Sequence, residues 1–197
     1  MTTRMVGVFM RFTGLRANTV LQIEREDLDL AQQELHVRDV VDKNEYARVV
    51  PLAEALLVEA GAWIELTRHG WIFSKRRHSR RNREKPKKLP TVSYRRAWEI
   101  ATEAGEVPLH VWHPRGRKNG RPLHAIRAAF DAYLIEEGVP ADVVDFLVGR
   151  NEPDVRARHY GREMMVEARR AVNLIPPIDW GELVDNVFPL VGSCRGG

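Results

Sequence analysis

Six side chains scattered along the sequence share one chemical use: Arg16, Lys43, His124, Arg127, Arg150 and Tyr160. Five are cationic or can become so, and the sixth carries a potential oxygen nucleophile. Fixed positive donors stabilise the charge that gathers on a pentacoordinate phosphorus, and a tyrosine oxygen attacking that phosphorus forms a covalent ester. Transfer at a phosphodiester is the reaction such a set suits. No Asp/Glu cluster, no metal-type Cys/His spacing and no Gly-rich phosphate loop ending in Lys-Ser/Thr accompanies it. The positive charge must therefore come from the protein's own side chains. Taken singly, each residue has an ordinary explanation. Arg16 alone is a surface arginine, Lys43 alone a solubilising turn residue, His124 alone a hydrogen-bonded core histidine and Tyr160 alone a structural aromatic.

The elements that must position them are legible in the hydrophobic pattern. Residues 3–12 read as a helix with Met5, Val8, Phe9 and Phe12 on one side, stopped at Thr13-Gly14, and Arg16 opens the next helical run. From Asp27 to Leu52 the period changes to two. Leu28, Leu30, Leu35, Val37 and Val49 alternate with polar residues around the turn cluster Asp42-Lys43-Asn44, which predicts a small antiparallel sheet with Lys43 at a hairpin tip. Residues 52–67 predict an apolar helix offering Leu52, Leu56, Val58, Trp63 and Leu66 to the core, and Trp71-Ile72-Phe73 a brief extended run. Ser93 to Gly105 has the capping residues of a helix, and 105–122 is loop-rich. His124 and Arg127 then sit three apart on an apolar-periodic helix, so both heads should emerge on one edge. PADVVDFLVG forms a second helix broken at Gly149 beside Arg150, and a third short run ends at His159-Tyr160. A last long helix is stopped by Pro176-Pro177. An amphipathic run from Asp179-Trp180, with Leu183, Val184 and Val187, then suggests a tail that packs on its own domain or on a neighbour.

With 197 residues, 44% hydrophobic and 29% charged, the chain suits one substantial globular domain rather than a disordered or fibrous protein. The single cysteine, Cys194, excludes a disulfide framework and favours a reducing compartment. The N-terminal MTTRMVGVFMRF is too short and too interrupted by arginine for a signal peptide or a membrane span. The cytoplasm or nucleoid is thus the expected location. The net charge of +4 is unevenly spread, because residues 75–88 hold nine Lys/Arg and one Glu, leaving 22 basic against 26 acidic elsewhere. Lys75, Arg76, Arg77, Arg80, Arg81, Arg83, Lys85, Lys87 and Lys88 are candidate contacts to phosphate backbones, although such a run is also an ordinary solvated loop.

In order along the chain, Thr13-Gly14-Leu15-Arg16, Lys43 followed by NEYARVVPL, LHAIRAAF, FLVGR and RHYGR resemble five successive motifs of the tyrosine recombinases, the phage-integrase-type family. That resemblance implies an α+β fold, a mostly α-helical catalytic domain with a small antiparallel β-sheet, over residues 1–175, with 176–197 as a C-terminal tail. It also implies double-stranded DNA as substrate, self-association as a tetramer on paired DNA sites, no cofactor and no membrane. Tyr160 would form the 3′-phosphotyrosyl bond, Arg16 and Arg127 would hold non-bridging oxygens, Lys43 would protonate the leaving oxygen, and His124 would bond the phosphate and take the tyrosine proton. Phosphotyrosine conserves the bond energy, so rejoining needs no ATP. Three positions depart from the family pattern. Arg150 stands for a histidine or tryptophan, Thr19 for an acidic residue after the first arginine, and the segment from Arg150 to Tyr160 is about one residue longer. The family's separate N-terminal DNA-clamping domain is expected to be absent. Two other functions are compatible with the same residues: relaxation of DNA in the manner of a type IB topoisomerase, and a DNA-binding accessory protein whose site has decayed.

Overall fold

The computed structural model describes residues 2–41, 47–67, 70–75, 87–88, 96, 99–100, 123–150 and 161–179. Helix α1 (Thr2–Thr13) leads into the short α2 (Ala17–Val20). A three-stranded sheet follows, made of β1 (Leu28–Asp29), β2 (Glu34–Val37) and β3 (Arg48–Pro51). Helix α3 (Glu54–Glu65) comes next, then a two-stranded ribbon of β4 (Ser74–Lys75) and β5 (Lys87–Lys88). Helices α4 (Leu123–Glu136), α5 (Ala141–Val148) and α6 (Gly161–Asn173) complete the described elements. The fold is mostly helical with a small antiparallel sheet, as expected. No helix among the described residues is long and apolar enough to cross a membrane.

Helix α1 is the axis of the core because α3 and α4 both pack on it. Burial consequently extends beyond the expected stripe: Met5, Val8, Phe9 and Phe12 are inside, and so are Val6 and Met10. Phe9 meets Phe73 edge to face with ring centroids 5.3 Å apart, so the run after Trp71 turns inward. Trp71 itself forms a bridge with Glu24, and Arg38 covers its ring at 5.8 Å while pairing with Glu24 and Asp27.

Two expected core assignments are corrected. In α3 the buried positions are Leu56, Ala60 and Ile64, while Val58 is 84% exposed and Leu66 is also on the surface. A helix apolar nearly all round cannot be phased from hydrophobicity, and here the small Ala60 is among the side chains that face inward. In β3 the buried valine is Val50, opposite Leu35, whereas Val49 lies opposite the exposed His36. Adjacent valines leave the parity of the strand to the length of the preceding turn. Leu30, expected within the alternation, falls in the turn after β1 and is half-buried.

The end of α6 is fastened to the start of α3, where the Glu54 amide donates to Asn173 Oδ1 at 2.9 Å. Beyond the double proline, Ile178 still packs against the core, and Arg11 donates to the Pro176 carbonyl at 3.3 Å. The chain therefore continues on its own domain past residue 175. Most of the helix expected from Ser93 to Gly105 lies outside the described residues, although Arg96, Glu99 and Ile100 are helical. The loop-rich 105–122 and the run after Trp180 lie outside them as well.

Candidate active site

Thr13-Gly14 ends α1 by ordinary local chemistry. The Thr13 hydroxyl donates to the Phe9 carbonyl at 2.6 Å and accepts from the Leu15 amide at 3.3 Å, while the Gly14 amide donates to Met10. Gly14 has φ +61, which a Cβ disfavours, and an added Cβ would lie 2.5 Å from the Phe130 ring. Only glycine lets α4 pack this closely on the end of α1. The chain then presents the half-buried Arg16 in an extended conformation at the start of α2.

The same close approach brings in Arg127. From one turn before Phe130 its guanidinium donates to the Gly14 carbonyl at 3.0 Å, joining positions 113 residues apart. Arg127 is only 6% exposed. It thus differs from the expected helix edge, since His124 is exposed on the first turn of α4 while Arg127 points into the protein. Burial first, and then repulsion from Arg16, Arg150 and Arg48, together lower its pKa to about 10 against the attraction of Asp131. The fold therefore gathers three arginines, from three other parts of the chain, around one buried guanidinium.

Thr19, at the position of the family's acidic residue, is buried, and its hydroxyl donates to the Val41 carbonyl at 3.4 Å. It ties α2 to the segment that ends at Val41, two residues before Lys43. Lys43 and Tyr160 lie outside the described residues, as do Arg76, Arg77, Arg80, Arg81, Arg83 and Lys85. At the ends of the basic run, Ser74 pairs with Lys88 and Lys75 with Lys87.

Arg150 is not a free cation. Helix α5 ends at Gly149 in the left-handed conformation, φ 68 and ψ 52, and Arg150 follows immediately. Its Nη1 donates to Asp145 Oδ1 at 3.0 Å and its Nη2 to Asp131 Oδ2. The Asp145 hydrogen bond raises the Arg150 pKa above its ordinary value, whereas burial raises that of Asp131 despite the pull of Arg150 and Arg127. Both values move up, which favours the charged form of Arg150 but the neutral form of Asp131, because the pair is buried unequally: Arg150 remains about half in water, while Asp131 is 8% exposed.

Two residues of this cluster escape motif reading. Arg48, on β3, lies against the Gly149 backbone, where a Cβ on residue 149 would overlap its guanidinium. Its signal was a charge opening the otherwise apolar Arg48–Pro51 strand directly after the Lys43 turn. Asp131 was signalled by its place one turn after Arg127 on the same helix face.

The chain matches the Phage integrase family over residues 1–163 and belongs to that family. Among solved structures it is similar to the integrase from mycobacterium phage Brujita, with 20% sequence identity and a TM-score of 0.59, over 90% of this chain and 52% of that one. The likeness is one of fold, and this chain spans about half the length of that integrase. No curated protein sequence matches it.

Proposed function

We propose that the chain is the catalytic domain of a site-specific recombinase that cleaves and rejoins double-stranded DNA through a 3′-phosphotyrosyl intermediate. One observation carries the reading: Arg127 is held 6% exposed with its pKa drawn down to about 10 by burial and by neighbouring arginines. Concentrating like charge costs stability in the free protein, and a bound phosphodiester relieves that cost. A preorganised cationic site of this kind favours the transition state, where the charge on the phosphoryl oxygens is greatest.

In this reading Tyr160 Oη attacks the scissile phosphorus as His124 takes its proton. The bond from phosphorus to the 5′-oxygen breaks, and Lys43 protonates the leaving oxygen. Arg16, Arg127 and Arg150 hold the non-bridging oxygens. A 5′-hydroxyl from the partner strand then attacks the phosphotyrosine, Tyr160 leaves, and one phosphodiester has been exchanged for another. Exchange needs two duplexes, so the working form is a tetramer on paired DNA sites, acting in the cytoplasm or on the nucleoid. Lys75, Arg76, Arg77, Arg80, Arg81, Arg83, Lys85, Lys87 and Lys88 supply backbone contacts around the target. The C-terminal tail begins against its own domain at Pro176 and Ile178, and its remainder either packs there too or exchanges contacts with a neighbouring subunit.

The test is covalent trapping on a nicked suicide substrate, whose short leaving fragment diffuses away. Wild type should accumulate a protein–DNA adduct that is stable to denaturation, and Tyr160→Phe should form none. Equal amounts from the two proteins would end the strand-transfer reading.

A further inference from the structure

We propose that Asp131 is a positioning residue of this site: with Asp145 it holds the Arg150 guanidinium so that arginine can serve as the phosphate donor where relatives use histidine. The proposal rests on the recombinase reading for its chemistry and on the α4–α5 contact for its geometry. The two carboxylates approach Arg150 from different helices, Asp131 on α4 and Asp145 on α5. The Arg150 amide also donates to the Asp145 carbonyl at 3.0 Å, which fixes where the side chain starts. With Nη1 and Nη2 each committed to a carboxylate, the side chain is restrained at its tip while about half of it faces water. Its further N–H groups are the donors left for a phosphate.

The need for Asp131 follows from the charge around it. A neutral imidazole or indole beside Arg127 needs no counter-charge, but an arginine there adds a cation to a site that already holds Arg16, Arg127 and Arg48. Asp131 lies one turn beyond Arg127 and interacts with both Arg127 and Arg150. One buried carboxylate thereby offsets the added cation and orients it. Arg150 and Asp131 act as a unit, and exchanging either alone leaves the other mismatched.

Single-turnover cleavage rates and DNA affinities, measured on the suicide substrate for the full chain, test this. Asp131→Asn should slow cleavage about tenfold with affinity changed less than about twofold, since misorientation acts on the reacting geometry. Asp131→Glu should recover part of the rate. Arg150→His alone should be poor because it strands a buried carboxylate, and adding Asp131→Asn to it should raise the rate about tenfold. Wild-type cleavage by Asp131→Asn, or an Arg150→His rate indifferent to Asp131→Asn, overturns the proposal. A readout without turnover separates this failure from failure of the recombinase reading: rotation of the Arg150 guanidinium by nitrogen-detected arginine NMR in the free protein. Slow rotation in wild type that becomes fast in Asp131→Asn supports positioning even if no adduct forms. Fast rotation in wild type overturns it.

Discussion

Replacing Gly14 by alanine should damage fold and site together. Residue 14 stands at φ +61, where an L side chain costs about 1–2 kcal/mol. The new Cβ would lie 2.5 Å and 2.7 Å from two atoms of the Phe130 ring, which is 4% exposed and has little room to retreat. Overpacking of this kind typically costs about 1–3 kcal/mol. Together the two effects give roughly 2–5 kcal/mol, a large share of the stability of on the order of 5–15 kcal/mol usual for a domain. Urea denaturation of Gly14→Ala, Phe130→Leu and the double variant separates the contributions. The backbone cost stays in both backgrounds, whereas the overlap falls when the ring is removed, so the double variant should be more stable than the sum of the singles by about 1 kcal/mol or more. Additivity within about 0.5 kcal/mol would show that the Cβ and the ring do not meet, and would refute this account of why α4 packs here. Because the Gly14 carbonyl accepts from Arg127, the folded fraction of Gly14→Ala should also cleave more slowly than wild type.

Arg127 and the basic run give two further expectations. Arg127 is a base whose folded pKa, about 10, lies below its ordinary value, so the folded state releases that proton first and stability rises as pH passes through the folded pKa. Against Arg127→Met, wild type should gain about 1 kcal/mol between about pH 9 and pH 11, after allowance for solvent screening. A difference that stays flat over this range would mean that Arg127 is not depressed. If the basic run makes on the order of six phosphate contacts, log K for DNA falls with log salt at a slope near about −5. Neutralising Arg80, Arg81 and Arg83 together should make that slope shallower by about 3, and an unchanged slope would place the contacts elsewhere.

The candidate site is partly legible in the sequence because phosphoryl chemistry restricts residue types. Arginines, a lysine, a histidine and a tyrosine in order are informative even when each alone is not. Arg48 and Asp131 were not singled out, since both act through tertiary neighbours: one lies against Gly149, the other under Arg150. By sequence Arg150 is a cation that could face phosphate, and only the packing of α4 on α5 shows two carboxylates on it.

Alone, the sequence determined the elements whose ends are written in local chemistry. Thr13-Gly14 stops α1, Gly149 stops α5, and alternation with a turn cluster specifies the small antiparallel sheet. Tertiary structure decided what local chemistry leaves degenerate. It chose the inward face of the nearly all-apolar α3, the parity of Val49 and Val50, and the burial of Arg127 against Gly14. Hydrophobic periodicity states that a face exists, whereas which face, and which charge goes inside with it, depends on the neighbours that arrive from far along the chain.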